Sequence, residues 1–439
     1  MPVQSLCCNL QLLTMPTPSL ILVPARFKTG KLYTPLATTS GGVVLGASGD
    51  FNVTRATTAT RVNASGFIEV VASGIPRLDY PIGGGCPALL VEPSGTNLAL
   101  QSENFAITWG QTNLNITSGF TSPSNNNSGT LIEATANTGR LRQTFAAGLT
   151  SGVTSTFSLF AKLGTQSSGI TLVFQEGTGT NYPSGVCQSF RLDTGAVGTS
   201  GTLGAGFTIT RSGIENYGNG WYRCSLTVQL SYTPSSANLT IRPTSVVTAN
   251  LPVTASGDTC YIFGAQLEVG SVATSYIPTT TASATRNADN ISLSGVVSGC
   301  IGQTEGTIYL ETNSLVSGAS DLFCFARATT NTVSISKNSS NIIQATVYTS
   351  GLALNIAASG TVSGNMKIAF AYKSGSSALY INGVPIGTSS TAFSFTAALN
   401  QININPTVFF EGRGNQRISA LPLYTTRLTD PELADLTTL

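Results

Sequence analysis

The sequence contains no histidine and little charge of either sign. Among its 439 residues, Lys and Arg number 21 and Asp and Glu number 19, which gives a formal net charge of +2. Without histidine the chain cannot build a Ser-His-Asp triad, a Cys-His dyad or an imidazole metal site. The sparse, balanced charge also provides no electrostatic footprint for nucleic acid. These absences exclude the commonest hydrolase chemistries and predict a protein without nucleic-acid partners.

Long apolar runs are missing as well. The most apolar stretch, residues 6–23, is interrupted by Pro16 and Pro18, whereas a membrane-spanning helix needs about 20 predominantly apolar residues. No Lys or Arg precedes this stretch, which is not the pattern of a secretory signal peptide. Met15 is an alternative start to Met1. We therefore expect no membrane partner.

Strand-forming residues separated by turn residues make up most of the chain. Hydrophobic residues account for 41% of the sequence, and Gly and Pro number 46 and 19; this balance argues against intrinsic disorder. Segments such as 156–162 and 306–311 are typical of strands bounded by turns. The one helical signal is terminal, at 429–436, with Thr429 or Asp430 as N-cap. The pattern predicts an all-β protein made of β-sandwiches or jelly rolls.

Composition divides the chain into three regions. Residues 1–45 are punctuated by proline and predict an extended N-terminal anchoring arm. Residues 46–290 form one strand-rich block with leading hairpins, and residues 300–439 form a second block that ends in the short helix. Internal repeats of 20–50 residues and heptads are absent from the sequence, which excludes a solenoid and a coiled-coil stalk. We expect two sandwich domains in tandem behind the arm.

Several ordered motifs resemble a recurrent module of tailed-phage virion proteins that occurs in tail fibres and other surface appendages. The motifs are TRAT (54–57), IPRLDY (75–80), ALLVE (88–92), TNLALQSENF (96–105), GNGWYRC (218–224), GAQLE (264–268), TSYIPT (274–279) and RNAD (286–289). The resemblance implies a carbohydrate-binding-module-like β-sandwich. One departure is Ser94-Gly95, where relatives commonly have an Ala-Arg pair. If that arginine ties the first hairpins to the sandwich, the attachment in this chain must differ.

The C-terminal block resembles the concanavalin A-like or laminin G-like jelly roll. The motifs that carry this similarity are EGTIY (305–309), MKIAFAY (366–372), LYINGV (379–384), RIS (417–419) and LYTTRLTDPEL (423–433). The residues also favour this fold independently of the resemblance, because Asn382-Gly383 between two apolar runs indicates a type I′ hairpin.

Together the two resemblances imply a structural virion protein of a tailed bacteriophage. The expected role is a tail-fibre or appendage subunit that contacts host surface polysaccharide and is assembled into the virion in the host cytoplasm. Other virion proteins would bind its N-terminal arm, and the family resemblance implies a homotrimer. Two alternatives stay open: a capsid-decorating, neck or collar protein that binds only virion proteins, and a glycan depolymerase.

Candidate binding residues are few. Trp109 and Tyr182 lie beside turn residues and are candidate platforms for a glycan, with packing in the core as the alternative for each. Arg26, Lys28 and Lys31 are candidates for anchoring the arm to the virion.

No catalytic residue or cofactor is predicted. The sequence pairs no two of its candidate carboxylates for glycoside hydrolysis, which are Glu69, Asp79, Glu92, Glu176, Glu268, Glu305, Glu311 and Asp321. We therefore expect a protein that is not an enzyme. The C-terminal block has no Asp-x-Asp or Asp-x-Asn pair, so the Ca²⁺ that concanavalin-like folds often hold is not carried over, and a structural Ca²⁺ is left only as an alternative.

The eight cysteines show no metal-ligand spacing. Most are expected to be small buried hydrophobic residues within strands. The adjacent Cys7 and Cys8 near the N-terminus are candidates for an intermolecular disulfide.

Overall fold

A computed structural model describes most of the chain. The described residues are 16–22, 24, 27–32, 50–145, 149–178, 184–245, 254–294, 299–314, 320–327, 330–338, 340–360, 364–404 and 416–439.

The first 23 strands of this part run from the N-terminus to the end of the second region. They are β1 (Leu20–Leu22), β2 (Phe27–Lys28), β3 (Lys31–Leu32), β4 (Phe51–Thr54), β5 (Ala59–Val62), β6 (Ile68–Val71), β7 (Leu78–Asp79), β8 (Ala88–Val91), β9 (Gly95–Asn97), β10 (Gly110–Thr112), β11 (Leu114–Phe120), β12 (Gly129–Ala134), β13 (Arg140–Phe145), β14 (Thr154–Leu163), β15 (Gly169–Thr178), β16 (Gly185–Arg191), β17 (Ala196–Thr202), β18 (Phe207–Asn216), β19 (Trp221–Leu230), β20 (Ser236–Thr244), β21 (Thr259–Val269), β22 (Ala284–Arg286) and β23 (Asn290–Ser294).

Ten more strands and one helix complete the described chain. They are β24 (Glu305–Ser314), β25 (Ser320–Arg327), β26 (Asn331–Lys337), β27 (Ile343–Thr349), β28 (Leu352–Ala357), β29 (Gly364–Lys373), β30 (Ser377–Ile381), β31 (Val384–Ser389), β32 (Gln401–Ile404), β33 (Gln416–Tyr424) and α1 (Asp430–Thr437). The prediction of an all-β sandwich protein is confirmed. No helix in the described part of the chain has the length and apolar character needed to span a bilayer.

Two six-stranded antiparallel sheets form what we call the central sandwich. Their strand orders are β10-β13-β20-β15-β16-β17 and β11-β12-β21-β14-β19-β18. Alternate residues of the strands point inward, so that Leu141, Leu172 and Phe174 of the first sheet share a core with Phe157 and Leu226 of the second. This is the period-2 burial expected where two sheets pack face to face.

The C-terminal sandwich recruits strands from the beginning of the chain. One of its sheets has the order β31-β30-β29-β24-β33-β8-β7, with β1 also paired to β33, and the other has the order β2-β3-β4-β23-β32-β25-β26-β27-β28. Leu20 of β1 lies opposite Leu423 of β33. Leu20 and Phe51 are completely buried in the same core as Ile308 and Phe370.

These pairings cross the domain boundaries that composition suggested. Strands from the proposed arm, β1 and β3, are part of the C-terminal sandwich, and so are β4, β7 and β8 from the second region. The central sandwich is therefore an insertion between N-terminal and C-terminal strands of one larger sandwich. The chain enters the central sandwich through residues 92–97 and leaves it through residues 269–289. These two connections lie close together because β9 of the first pairs with β22 of the second.

Two local predictions are confirmed in detail. Asn382 and Gly383 join β30 to β31 with φ angles of 51° and 80°, which are the two left-handed positions that a type I′ turn requires. At the C-terminal helix, the backbone N–H of Thr429 donates to the Glu432 carboxylate at 2.6 Å, as in a capping box. Pro431 occupies the first turn, where its missing N–H costs nothing.

Candidate functional site

A buried ionic network joins the two sandwiches at the point where the chain passes between them. Arg77 contacts Glu92 at 2.6 Å and also contacts Asp289. Arg286 binds Glu92 at 2.7 Å, and Arg55 binds Asp289 at 2.9 Å. All five side chains are at most 2% exposed. Each comes from one of the motifs TRAT, IPRLDY, ALLVE and RNAD, which are four of the eight motifs that resemble the phage module.

The network keeps the Glu92 carboxylate ionised. Burial alone would raise the pKa of Glu92, but the positive charges of Arg286 and Arg77 outweigh it and hold the pKa well below its ordinary value. Ser275 adds two hydrogen bonds to the same carboxylate, from its backbone N–H at 2.8 Å and from its hydroxyl at 2.6 Å. Burial alone would lower the pKa of Arg77, but the negative charges of Asp289 and Glu92 outweigh it and hold that pKa above its ordinary value. Glu92 is thus a structural anion.

Arg286 makes the attachment at the point where the sequence departs from the phage module. Gly95 of β9 lies opposite Arg286 of β22, and the Arg286 guanidinium donates to the Pro93 carbonyl at 2.5 Å. A Cβ atom at position 95 would come within 2.8 Å of the Glu268 carboxylate. The hairpins are therefore tied to the sandwich by Arg286 and Arg77, and position 95 itself contributes only backbone.

Glu268 is the carboxyl group of this region that lacks a direct arginine partner among the described residues. It accepts hydrogen bonds from Gln266 at 2.6 Å and from the Thr274 hydroxyl at 2.5 Å. Burial raises its pKa, against the opposing effects of Thr274 and of the charge on Arg286. The uncharged form of Glu268 is therefore favoured in the folded protein relative to the unfolded chain.

Substitution Glu268→Gln is expected to change the pH dependence of stability. A carboxyl whose pKa is raised by folding stabilises the folded state below its unfolded pKa, and this contribution is lost as the pH rises through the folded value. The variant should consequently gain stability relative to wild type as the pH rises above about 4.3, the ordinary pKa of a glutamate. Urea unfolding at several pH values measures this difference, and a difference that does not vary with pH would contradict the assignment.

A cleft of about 350 Å³ opens between the two sandwiches next to the network. The β7–β8 hairpin and its loop form one wall, the end of β18 forms the second, and the ends of β24 and β29 together with β33 form the third. Between the cleft and the network lies a smaller cavity of about 40 Å³ whose lining includes Asp79 and Arg417 from the cleft and Glu92 from the network. The joint that fixes the two sandwiches therefore also fixes the walls of the cleft.

Neutral amides, the Asp79–Arg417 ion pair, Glu215 and Ser419 form the polar part of the lining. Asn365, Asn313 and Arg417 lie in register on neighbouring strands β29, β24 and β33. The Asn313 side-chain amide donates to the Asn365 carbonyl oxygen at 3.0 Å, while its own carbonyl oxygen has no hydrogen-bond partner in the structure. Arg417 donates to Asp79 at 2.6 Å. This row presents both donors and acceptors to the cleft.

Two tyrosines supply the aromatic part of the lining. Tyr80 and Tyr217 are both half-buried. The Tyr217 ring packs edge-on against Phe160 with centroids 4.8 Å apart, and burial, reinforced by Glu215, raises the pKa of its hydroxyl.

Gly83, Gly84 and Gly85 of the adjoining loop have φ angles of 93°, 92° and 126°, a backbone conformation that residues other than glycine rarely adopt. The loop wall depends on these glycines.

The expectation for Trp109 has to be corrected. Its side chain is 3% exposed, its ring packs against Phe105 with centroids 5.4 Å apart, and its indole N–H donates to the Leu100 carbonyl at 3.1 Å. Neighbouring turn residues do not expose an aromatic ring when the turn folds back over the core. Trp109 is a core residue of the central sandwich, as the packing alternative proposed.

Substitution Trp109→Phe should destabilise the protein by about 1–2 kcal/mol, because it removes a hydrogen bond to a partly buried carbonyl and part of a packed ring. It should leave binding by the folded protein unchanged. Chemical denaturation measures the first effect. A variant as stable as wild type would show that Trp109 is not part of the core.

The other predicted binding residues are placed as follows. Tyr182, Arg26, Cys7 and Cys8 lie outside the described residues. Lys28 is exposed in the β2–β3 hairpin, and Lys31 donates to the Asn52 side chain at 2.8 Å. Their role in anchoring stays a prediction.

Most of the candidate carboxylates are held by partners that do not line the cleft. Glu69 pairs with Arg61 at 2.6 Å and Glu305 with Lys373 at 2.8 Å. Glu176 accepts from the Tyr232 hydroxyl at 2.6 Å, and Glu311 accepts from the Tyr309 hydroxyl at 3.3 Å. Within the described residues no group of three or more acidic or cysteine side chains is placed to hold a metal ion.

Four of the described cysteines are buried, as predicted for most of them, and three of the four lie in strands. They are Cys187, Cys224, Cys260 and Cys300, whereas Cys86 is exposed at the cleft. Burial raises the pKa of the Cys300 thiol to about 11, which leaves it protonated at neutral pH and therefore a poor nucleophile.

Comparison with known proteins gives only distant similarities. No family model matches the chain, and no curated protein matches it. Among solved structures, domain 4 of AbnA, an extracellular GH43 arabinanase from Geobacillus stearothermophilus in complex with arabinotriose, is 17% identical, with coverage of 38% of this chain and 82% of that one and a TM-score of 0.30. The CBM40 of a Ruminococcus gnavus IT-sialidase bound to α2,3-sialyllactose is 15% identical, with coverage of 31% and 84% and a TM-score of 0.28.

A third similar structure is the heptameric SAP-like pentraxin from Limulus polyphemus. It is 15% identical, with coverage of 30% of this chain and 70% of the pentraxin chain and a TM-score of 0.27. TM-scores this low do not assign the chain to any of these families.

Proposed function

We propose that this protein is a non-enzymatic structural subunit of a tailed-phage appendage and that it contacts host surface glycan in the cleft between its two sandwiches. The observation that carries the proposal is the lining of the cleft. Its size of about 350 Å³ falls within the range of small-ligand sites. The amides of Asn313 and Asn365 and the rings of Tyr80 and Tyr217 match the hydroxyl groups and apolar faces of a neutral sugar.

The virion part of the proposal is supported by sequence motifs. Four of the eight motifs that resemble the phage module contribute residues to the network that contains the Arg77–Glu92–Asp289 joint, so the resemblance includes residues that determine how the sandwiches are connected. Weak binding at each cleft would be amplified by several copies per appendage. The homotrimer implied by the resemblance belongs to this proposal, and light scattering of the purified protein measures it.

The contacts of the carboxylates in the cleft support binding without hydrolysis. Both oxygens of Asp79 are engaged, one by the Val62 backbone N–H at 2.7 Å and the other by Arg417. Glu215 is the remaining carboxylate of the lining. Glycoside hydrolysis needs a proton donor and a second carboxylate available to water or to the sugar, and Asp79 in its ion pair is neither.

A glycan array of bacterial surface polysaccharides tests the proposal. We expect selective binding to a subset of neutral glycans, with no increase in reducing ends when bound polysaccharide is incubated with the protein. Released oligosaccharide would establish a depolymerase instead. Failure to bind any glycan, together with location of the protein on the capsid, neck or collar in a map of the virion, would establish the decoration alternative.

A further inference from the structure

Two arginines that border the small cavity between the cleft and the ionic network have unsatisfied N–H groups. The Arg223 guanidinium donates through Nη1 to the Thr274 carbonyl at 2.6 Å and through Nη2 to the Ser158 hydroxyl at 3.1 Å. Its Nε is buried and finds no acceptor in the described part of the chain. Arg223 is 5% exposed, so it leaves a buried donor unused beside the cavity that it lines.

Arg61 borders the same cavity from another strand. It lies on β5, and its Nε donates to the Glu69 carboxylate at 2.6 Å. Its guanidinium carbon lies 5.7 Å from the centroid of the Phe27 ring. The Nη1 of Arg61 is buried, and none of the residues that the structure describes accepts a hydrogen bond from it. Buried donors without acceptors are costly, so two of them beside one cavity indicate a hydrogen-bonding ligand inside it.

The charge of the lining favours a neutral ligand. Among the described residues, its charged side chains are Arg61, Arg223, Arg417, Asp79, Glu92 and Glu215. The positive and negative charges are equal in number, so carboxylates would repel an anion and guanidinium groups would repel a cation. A ligand that both accepts and donates hydrogen bonds suits these surroundings. Water does so, and the cavity volume of about 40 Å³ exceeds the roughly 10–15 Å³ that one water molecule needs.

We propose that the cavity binds a cluster of about two or three ordered water molecules, which accept hydrogen bonds from Arg61 and Arg223. Tyr217 and Glu215 line both this cavity and the cleft, so the water cluster lies directly behind one wall of the cleft. Ordered waters that join buried polar groups act nearly as well as direct hydrogen bonds. The cluster therefore supports the Tyr217 wall from behind. The water site does not depend on the proposed function, whereas its effect on glycan binding rests on that function.

A high-resolution crystal structure of the full-length protein, determined with and without a bromide soak, tests the site. We expect water oxygens within about 3.2 Å of Arg61 Nη1 and of Arg223 Nε, and no anomalous bromide signal in the cavity. A bromide peak beside either arginine would establish an anion site instead. A cavity without electron density would show that the two donors are not hydrated. Either of these results would overturn the proposal.

Filling the cavity tests the same site in solution. Ala273 lines the cavity and not the cleft, and the two methyl groups added in Ala273→Val would take the space of a water molecule. Because the arginine N–H groups then lose their acceptor, we expect the unfolding equilibrium constant to rise about tenfold. The control Ala255→Val changes a half-buried alanine outside both linings and should alter this constant less than about threefold. A stabilised A273V, the usual result of filling a dry cavity, would overturn the proposal.

A double-mutant cycle separates lost hydration from overpacking, which also destabilises a folded protein. Arg61→Met removes one of the two donors and keeps an unbranched side chain. In that background, the fold-change that A273V causes in the unfolding constant should be at least about threefold smaller. An effect of the same size in both backgrounds would assign the loss to overpacking and overturn the proposal.

Glycan titration tests the link to the cleft. A273V should bind the glycan identified on the array about fivefold more weakly than wild type, because the Tyr217 wall loses its support, and A255V should bind as wild type does. Equal affinity of all three proteins would refute the link. Wild type that binds no glycan would refute the proposed function together with the link, whereas diffraction alone decides the water site.

Discussion

Substitution Glu92→Gln is expected to destabilise the protein by about 3–5 kcal/mol, the usual cost of breaking a buried ion pair by removing one partner. Glu92 is 1% exposed and neutralises both Arg77 and Arg286. Glutamine keeps the shape of the side chain and removes the charge, which takes from Arg286 the carboxylate that it binds and leaves Arg77 with Asp289, which Arg55 also binds. Unfolding in guanidinium chloride, monitored by fluorescence, measures the loss in the free energy of unfolding.

The matched control is Glu69→Gln. Glu69 also pairs with an arginine, at 2.6 Å, but its side chain is 35% exposed. Solvent screens such a pair, and its removal should cost less than about 1 kcal/mol. A loss of similar size in the two variants would contradict the view that the joint is held by desolvated charges.

The Glu92→Gln variant should also respond differently to acid. Because folding lowers the pKa of Glu92, its stabilising contribution is present above the unfolded pKa and is lost as the pH falls toward the folded value. Wild type should therefore lose more stability than E92Q between about pH 6 and pH 3. Parallel stability curves for the two proteins over this range would show that Glu92 is not the group responsible.

Blocking the cleft is expected to abolish most glycan binding. Ser419 lines the cleft and is half-buried, so the ring of a Ser419→Phe variant would occupy the space that a sugar needs. We expect at least a tenfold loss of affinity without a change in the Arg77–Glu92–Asp289 joint, which Ser419 does not contact. Titration of the glycan identified on the array measures the loss.

A second substitution distinguishes a blocked cleft from a misfolded protein. Asn365→Ala removes one exposed amide of the lining, and the loss of one hydrogen bond of about 1 kcal/mol should reduce affinity roughly five-fold. Its control, Asn355→Ala, changes an equally exposed amide on β28, outside the lining. Unchanged affinity in both S419F and N365A would show that the cleft is not the binding site.

Local features of the fold could be predicted from the sequence because local rules determine them. Strand runs, the Asn382-Gly383 turn and the capped helix after Thr429 each depend on residues a few positions apart. The strand β1 could not be assigned to the C-terminal sandwich in this way. Its partner β33 lies at the other end of the chain, and a three-residue apolar strand fits many sheets equally well.

The candidate site was harder to predict than the fold. Asn313, Asn365 and Arg417 stand at the ends of separate strands and become neighbours only through the register of three strands. Nothing in a sequence rich in Asn, Ser and Thr distinguishes them. A usable signal did exist for the joint: in a chain with so few charges, arginines and acids that recur within apolar strand motifs, as Arg77 and Glu92 do, indicate buried pairs.

The most direct test of the account is an adsorption competition. Host cells are incubated with purified wild-type protein, with S419F or with N355A, and the adsorption of the phage proposed to carry this protein is then measured. We predict that wild type and N355A inhibit adsorption at the same concentration and that S419F inhibits at least tenfold less well. Inhibition by all three proteins at the same concentration, or by none of them, would contradict an appendage subunit that contacts host glycan through this cleft.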